Sequence, residues 1–226
     1  MGKALRNSGL TIVALALFLL ALVGQALTGH AHYVEEQREH GQPSVTFVEY
    51  LGTGHFGEAV FENWESEFLQ MAMFIFLTAF LVQKGSAESN KPPDEEGAGE
   101  EEVREDPRKH RDDPDAPWPV RRGGLVLKLY ESSLSLALFL LFLVSLALHA
   151  ATGAADYNEE QAEHGGEPVG VMGYARTSRF WFESFQNWQS EFLSVAAIVV
   201  LSIYLRQRGS PESKPVHAPH GQTGSG

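Results

Sequence analysis

Two stretches of the 226-residue chain carry the same carboxylate–imidazole pair, Glu36 with His40 and Glu160 with His164. Side chains at i and i+4 share a helix face, so each pair offers a carboxylate oxygen and an imidazole nitrogen to one cation. Two such half-sites would supply four ligands, a set that suits zinc, manganese or iron. The plainer account is preferred: the same groups cap helix ends, pair with Arg38 or hydrogen-bond to the opposing loop. Carboxylate sites of four-helix proteins use Glu-x-x-His at i, i+3 and bury it in the bundle core. No resident cofactor is therefore expected, and a divalent transition metal is the one these pairs would take. His30, His32 and His55 have no counterparts in the second stretch and read as loop histidines.

A second constellation is Asn-Trp-x-Ser-Glu, with Asn63, Ser66 and Glu67 in one place and Asn187, Ser190 and Glu191 in another. Each motif opens a hydrophobic run, which puts the carboxylates a turn or two inside an apolar layer, where an ionisable group is expected to face the protein interior. Asn63 and Asn187 lie one turn before them on the same face. Proton or cation handling is the sharper reading of this intramembrane cluster. An interhelical hydrogen-bond clamp is the preferred one, because two carboxylates at similar shallow depth make a poor conduction path. Gln25 and His149, at corresponding positions, are placed to bond to it.

Other chemistry is excluded or unsupported. Without cysteine there is no disulfide, iron–sulfur cluster or thiol nucleophile. With 17 Lys and Arg against 29 Asp and Glu, the chain lacks the basic face a nucleic-acid binder needs. Ser132, Ser133 and Thr28 are helix-flanking hydroxyls without a base, and no glycine-rich phosphate loop follows a strand, so no enzyme activity is expected.

The elements that must position these groups are helices. The mean hydropathy of -0.16 conceals a sharp alternation of uncharged and highly charged segments. Asn7 to Val34 holds no Asp, Glu, Lys or Arg, and Ser132 to Ala155 is a second such run. Each exceeds the roughly 20 residues needed to cross a bilayer. Two shorter runs, Phe68 to Gln83 and Phe192 to Leu205, span once extended back to Trp64 and Gln186, which leaves Trp64 and Trp188 near the outer interface. The expected spans are about 8–28, 64–83, 132–152 and 186–205.

A shift of 124 positions carries Tyr33 onto Tyr157, and with it Glu35, Glu36, Gln37, Glu39, His40 and Gly41 onto Glu159, Glu160, Gln161, Glu163, His164 and Gly165. The same shift matches Thr28-Gly29 to Thr152-Gly153, Asn63-Trp64 to Asn187-Trp188, and Gly85-Ser86 with Glu88-Ser89 to Gly209-Ser210 with Glu212-Ser213. One two-helix unit is used twice, over 1–84 and 120–208. Since the copy of the first helix lies mid-chain, the first helix reads as retained rather than as a signal peptide. Two crossings per unit make the repeats parallel. All but Arg38, Arg176 and Arg179 of the 17 Lys and Arg lie near the N-terminus, in the central segment from Lys84 to Lys128 or after the last hydrophobic run, which places both termini in the cytoplasm and the loops near 30–62 and 154–186 outside.

The acidic linker over 85–119, with Glu100-Glu101-Glu102, and the tail over 209–226 have too few apolar residues to order themselves and read as disordered. His217 and His220 read as parts of a solvated spacer. In the outer loops, Tyr33, Glu36, Gln37 and His40 fall on one helical face, so the first helix should continue outward until Gly41 and Pro43 stop it. Thr53 and Thr177 or Ser178 are the expected N-caps of the returning helices.

The motifs Tyr-x-Glu-Glu-Gln-x-Glu-His-Gly and Asn-Trp-x-Ser-Glu-Phe-Leu, followed by Gln-Lys-Gly-Ser-Ala-Glu-Ser at 83–89, resemble a family of small bacterial four-helix membrane proteins known only as a domain of unknown function. The resemblance covers roughly residues 5–90 and 129–214. It implies the bacterial inner membrane and carries no activity, substrate or cofactor with it. Glu65 against Gln189 is a departure between the two copies. The reading is an all-α integral membrane four-helix bundle of two tandem repeats with a helical and loop outer cap. Its expected surroundings are the lipid bilayer, a protein partner at the cap, and a second copy in a homo-oligomer. The expected role is non-enzymatic and structural or partner-binding, the alternative being ion or proton transport or metal binding.

Overall fold

The computed structural model describes residues 3–99 and 105–224, apart from the side chains of residues 3–6 and of Glu163. Glu100, Glu101 and Glu102 of the acidic linker lie outside the described residues. The regular elements of the described residues are helices: α1 (Lys3–Glu39), α2 (Phe47–Tyr50), α3 (Gly54–Phe80), α4 (Trp118–Arg122), α5 (Gly124–Tyr130), α6 (Ser133–Glu163), α7 (Val171–Tyr174) and α8 (Ser178–Tyr204), with a 3-10 turn at Pro107–His110. Among the described residues there is no strand.

Two helices are long and apolar enough to cross a membrane, over Asn7–Glu39 and Ser133–Ala162. Their many Leu and Ala residues favour helix, and many of their large side chains point outward: Leu10, Leu17 and Leu20 on α1, Leu134, Leu136 and Leu140 on α6. At about 25 cal/mol per Å2 of apolar surface, so wide an exposed stripe is unfavourable in water and neutral in hydrocarbon. The 27-residue α3 and α8 reach roughly 40 Å at 1.5 Å per residue, but carry acidic residues along their first halves.

The contacts divide the chain into two compact units, Met1–Phe61 with Leu148–Phe180, and Glu62–Ala147 with Trp181–Gly226. In the first, α1 runs on past Gly29 to Glu39, as the one-face pattern predicts. It stops where Gly41 takes φ +69° and the amide of Gln42 donates to the Gln37 carbonyl at 2.8 Å. α6 ends identically: Gly165 has φ +70° and Gly166 N donates to Gln161 O at 2.7 Å. This left-handed cap suits glycine. Thr46 and Glu49 then form a reciprocal capping box at the start of α2. The amide of Thr46 holds the exposed Glu49 carboxyl below its ordinary range. Thr53 and Thr177 cap α3 and α8 as expected, accepting from Phe56 N and Phe180 N at 3.3 Å each, while their hydroxyls donate to the carbonyls of Tyr50 and Tyr174 at 2.7 Å.

Tyr50 and Tyr174 form the centre of this unit, 1% and 0% exposed. Tyr50 stacks at an angle with Tyr33 (ring centroids 5.6 Å) and Phe56 (5.5 Å), and Tyr174 with Tyr157 (5.7 Å) and Phe180 (5.6 Å). Each lies against a glycine. A Cβ on Gly29 would stand 2.2 Å from the Tyr50 hydroxyl oxygen, and one on Gly153 2.5 Å from the Tyr174 ring. Backbones also touch where α3 starts against α6: a Cβ on Gly54 would lie 2.4 Å from Asp156 N, and one on Gly57 2.5 Å from Thr152 Cγ2.

In the second unit the segments after α3 and α8 make matching turns. Gln83 N donates to Ser89 Oγ at 2.7 Å and Glu88 N to Ser86 Oγ at 3.1 Å; Gln207 N donates to Ser213 Oγ at 2.9 Å and Glu212 N to Ser210 Oγ at 3.2 Å. Composition alone makes 209–226 an unfolded tail. Its described part instead folds onto the residues after α3, because specific polar pairs replace the missing apolar core. Lys214 Nζ, in a residue 1% exposed, donates to the carbonyls of Gly85, His220 and Gln222, and Thr223 Oγ1 donates to Glu95 at 2.6 Å. Burial lowers the proton affinity of Lys214 below that of an ordinary lysine, with Arg206 adding to the effect.

Glycine to alanine inside a helix ordinarily stabilises by about 1 kcal/mol. At Gly29 and Gly153 the sign should reverse, because rigid buried rings cannot yield and overpacking costs about 1–3 kcal/mol. Thermal unfolding in detergent is expected to show Gly29→Ala and Gly153→Ala below wild type. Gly24→Ala, where nothing lies within 4 Å of the added Cβ, should match or exceed it.

Candidate functional site

The charged groups of the first unit converge at Arg179. Thr177 sets the start of α8, so residue 179 faces α6 from the first turn, where Asp156 and Glu160 share a face at i and i+4. Arg179 Nη2 reaches Asp156 Oδ2 at 2.9 Å and Glu58 Oε2 at 3.7 Å, its Nη1 bonds to Glu160, and its guanidinium lies 5.8 Å from the Tyr157 ring centroid. The Tyr174 hydroxyl donates to the other Glu58 oxygen at 2.8 Å. Glu58 and Asp156 are buried, as is His149, which offers a ring nitrogen within 4.8 Å of a Glu58 carboxylate oxygen and packs its ring 4.7 Å from Phe180.

Three carboxylates thus share one guanidinium. The planar fork of arginine suits that task, since it donates in several directions at once and does not lose its proton. Glu160 meets solvent, so the buried part of the cluster, Glu58 and Asp156 with Arg179, carries one surplus negative charge, which is costly to keep inside. The arrangement can hold helices together.

The residues singled out by sequence are distributed differently. His40 and His164 are exposed, and each Nδ1 lies by the main-chain carbonyl four residues earlier, Glu36 O at 3.0 Å and Glu160 O at 2.8 Å. Each imidazole thus sits against the main chain of its own helix end. Glu36 is exposed, whereas the Glu160 carboxylate belongs to Arg179. Nearby, Tyr33 donates to Glu159 at 3.0 Å. The three histidines without counterparts do meet in the same unit: His32 and His55 have ring centroids 6.4 Å apart, His55 lies 3.3 Å from the Tyr50 hydroxyl, and His30 bonds to Val45 O at 2.9 Å.

The Asn-Trp-x-Ser-Glu cluster belongs to the second unit. Ser66 and Ser190 each donate to a carbonyl of their own helix, Asn63 O and Asn187 O, at 2.8 Å. Asn63 and Glu67 are exposed, Glu191 is half-buried, and the fully buried acid is Glu65, 0% exposed. Glu65 accepts from Trp188 Nε1 at 3.2 Å, and Glu62 accepts from Asn187 Nδ2. Two residues along a helix turn the side chain by about 200°, so Glu65 and Glu67 point apart.

Glu58, Asp156 and Arg179 carry no duplication signal, because none of them recurs in the other copy. Under the shift of 124 positions Arg179 stands against His55, Asp156 against His32 and Glu58 against Phe182. The available signal was an acidic pair at i, i+4 on one helix and an arginine at the start of another.

Residues 1–225 match the profile of a family described as a domain of unknown function, DUF6766. The chain belongs to this family. No curated protein and no solved structure matches it.

Removing Arg179 would leave buried carboxylates without their cation, an effect of about 3–5 kcal/mol for buried pairs and smaller where Glu160 meets solvent. Arg179→Ala is expected to lower the unfolding temperature sharply, and Arg179→Lys to restore only part of it, because an ammonium cannot reach three acids as the fork does. Equal stability of all three proteins in a denaturation series would show that the cluster does not hold this unit together.

Proposed function

We propose that this protein is a non-enzymatic, multi-pass component of the bacterial inner membrane whose outer cap binds a protein partner. In this reading α1, α3, α6 and α8 form a four-helix bundle of two tandem parallel repeats, with both termini cytoplasmic. The carrying observation lies on the two shortest cap helices. Val48 is 77% exposed on α2 and Met172 67% exposed on α7, and two residues after each comes a tyrosine that is almost wholly buried. The tyrosines fix α2 and α7, so these apolar side chains are held outward at little further entropic cost. Rigid, exposed apolar groups on an ordered scaffold are the usual anchors of protein contacts. Transport would draw on the inward acids of α3, yet Glu58 accepts from Tyr174, Glu62 from Asn187 and Glu65 from Trp188, which supports an interhelical clamp.

Two measurements test this. Because the chain has no cysteine, single replacements report topology without background. Ser44→Cys and Glu167→Cys should react with a membrane-impermeant maleimide in intact cells, and Glu96→Cys and Pro211→Cys only after permeabilisation; the reverse pattern removes the orientation. A photo-crosslinker at position 51 should give an adduct of discrete size in cells. Val48→Asp with Met172→Asp should abolish it at unchanged protein level. Persistence of the adduct in that double variant would remove the apolar tips from the contact.

A further inference from the structure

The second unit contains a cavity of about 280 Å3 beside the last turns of α3, lined by Phe74, Leu77, Leu81, Phe192, Val195 and Val199 and closed at one end by Glu88. The size is at the lower end of small-ligand pockets, about 300–1,000 Å3. The rest of its wall is mainly apolar, with Gln70, Thr78, Gln83 and Ser89 as the other polar residues. Leu77, Leu81 and Phe192 are each more than a third exposed, so the groove opens along the apolar flank of the helices. Glu88 differs from Glu65, Glu62 and Glu95 of this unit, whose carboxylates meet Trp188, Asn187 and Thr223. Its Oε1 is buried, and among the described residues no hydrogen-bond donor reaches it.

We infer that this groove binds a membrane lipid with a primary ammonium headgroup, its acyl chain against the leucines and phenylalanines and its N–H donating to Glu88. The occupant comes from the bilayer, an inference that rests on the membrane reading above, because the open side of the groove is continuous with the exposed apolar surface of α3 and α8. The headgroup follows from charge and geometry. A buried carboxylate oxygen without a donor is costly, and a charge-assisted N–H bond offsets that cost more fully than a neutral hydroxyl does. Burial raises the proton affinity of Glu88 above that of an ordinary glutamate, and the neighbouring Glu212 raises it further. A cation relieves both effects at once. Glu88 sits in the turn that follows α3, held by its own amide on Ser86 Oγ, so the carboxylate is positioned by backbone geometry.

The test compares two lipids with the same chains and phosphate, dioleoyl phosphatidylethanolamine and dioleoyl phosphatidylcholine; the second keeps the positive charge and has no N–H. The full-length protein is reconstituted in nanodiscs containing both, re-extracted, and its retained lipid quantified by mass spectrometry. Wild type should enrich the ethanolamine lipid about tenfold over the bulk ratio, the scale of one charge-assisted hydrogen bond. Glu88→Gln should return the ratio to bulk, and Val195→Trp, which fills the groove, should lower retention of both lipids. A bulk ratio in wild type, or enrichment that survives either substitution, overturns the assignment. Binding of dodecylammonium without ethanolamine-lipid enrichment also overturns it. Alkaline carbonate extraction of native membranes separates the two readings: protein that stays in the pellet but shows no enrichment removes the lipid site alone, and protein released into the wash removes the membrane reading itself.

Discussion

The first unit depends on two phenol rings resting on bare backbone. Tyr50 needs Gly29, and Tyr174 needs Gly153, because any side chain there would occupy the space of the ring. Each glycine costs its helix about 1 kcal/mol in propensity, and burying a large side chain returns about 2–3 kcal/mol, so the exchange is favourable. Its structural consequence is larger than its energy. Once the ring is seated, the four-residue helix carrying it is fixed, its carbonyl receives the threonine hydroxyl of the next helix, and that threonine sets the phase in which α3 or α8 begins. Arg179 meets Asp156 and Glu58 only in that phase.

Residues that recur at a spacing of 124 and residues that do not recur divide the work. The recurring ones shape the backbone: Gly29 and Gly153, Tyr50 and Tyr174, Thr53 and Thr177, the glycine caps at 41 and 165, and the serines of the turns after α3 and α8. Most of the buried charge sits at positions where the two stretches differ. A residue that must fit a backbone is constrained identically in both places, whereas an acid inside is easier to satisfy when its opposite number is something else.

This division explains how much was legible from the sequence. Helix identity, the outward continuation of α1, its glycine stop and the threonine caps all follow from local rules of periodicity and capping, and each lies within a few residues of its expected place. The site was less legible. Duplication pointed to Glu36, His40 and their counterparts, which largely serve helix ends, while the convergence of Glu58, Asp156 and Arg179 depends on three helices meeting, which no local window contains. The tail was hidden for a related reason. Gly, Pro, Ser and His offer no core, and the burial of Lys214 among main-chain carbonyls has no compositional signature.

The contrast between Glu65 and Glu67 shows why such departures matter. Glu67 and Glu191 recur, and they do not become the buried acid; Glu65 does, and its opposite number is Gln189. Had both helices kept glutamate on that face, two carboxylates would compete for the same small set of donors, and one would have to take up a proton or leave. Glutamine at 189, and likewise Gln186 opposite Glu62, removes one of each pair of acids and leaves the recurring donors Asn187 and Trp188 to serve the remaining one. A twofold sequence can therefore build a satisfied polar interface only by losing its symmetry there, and the positions that broke it are where the interior chemistry of this chain is found.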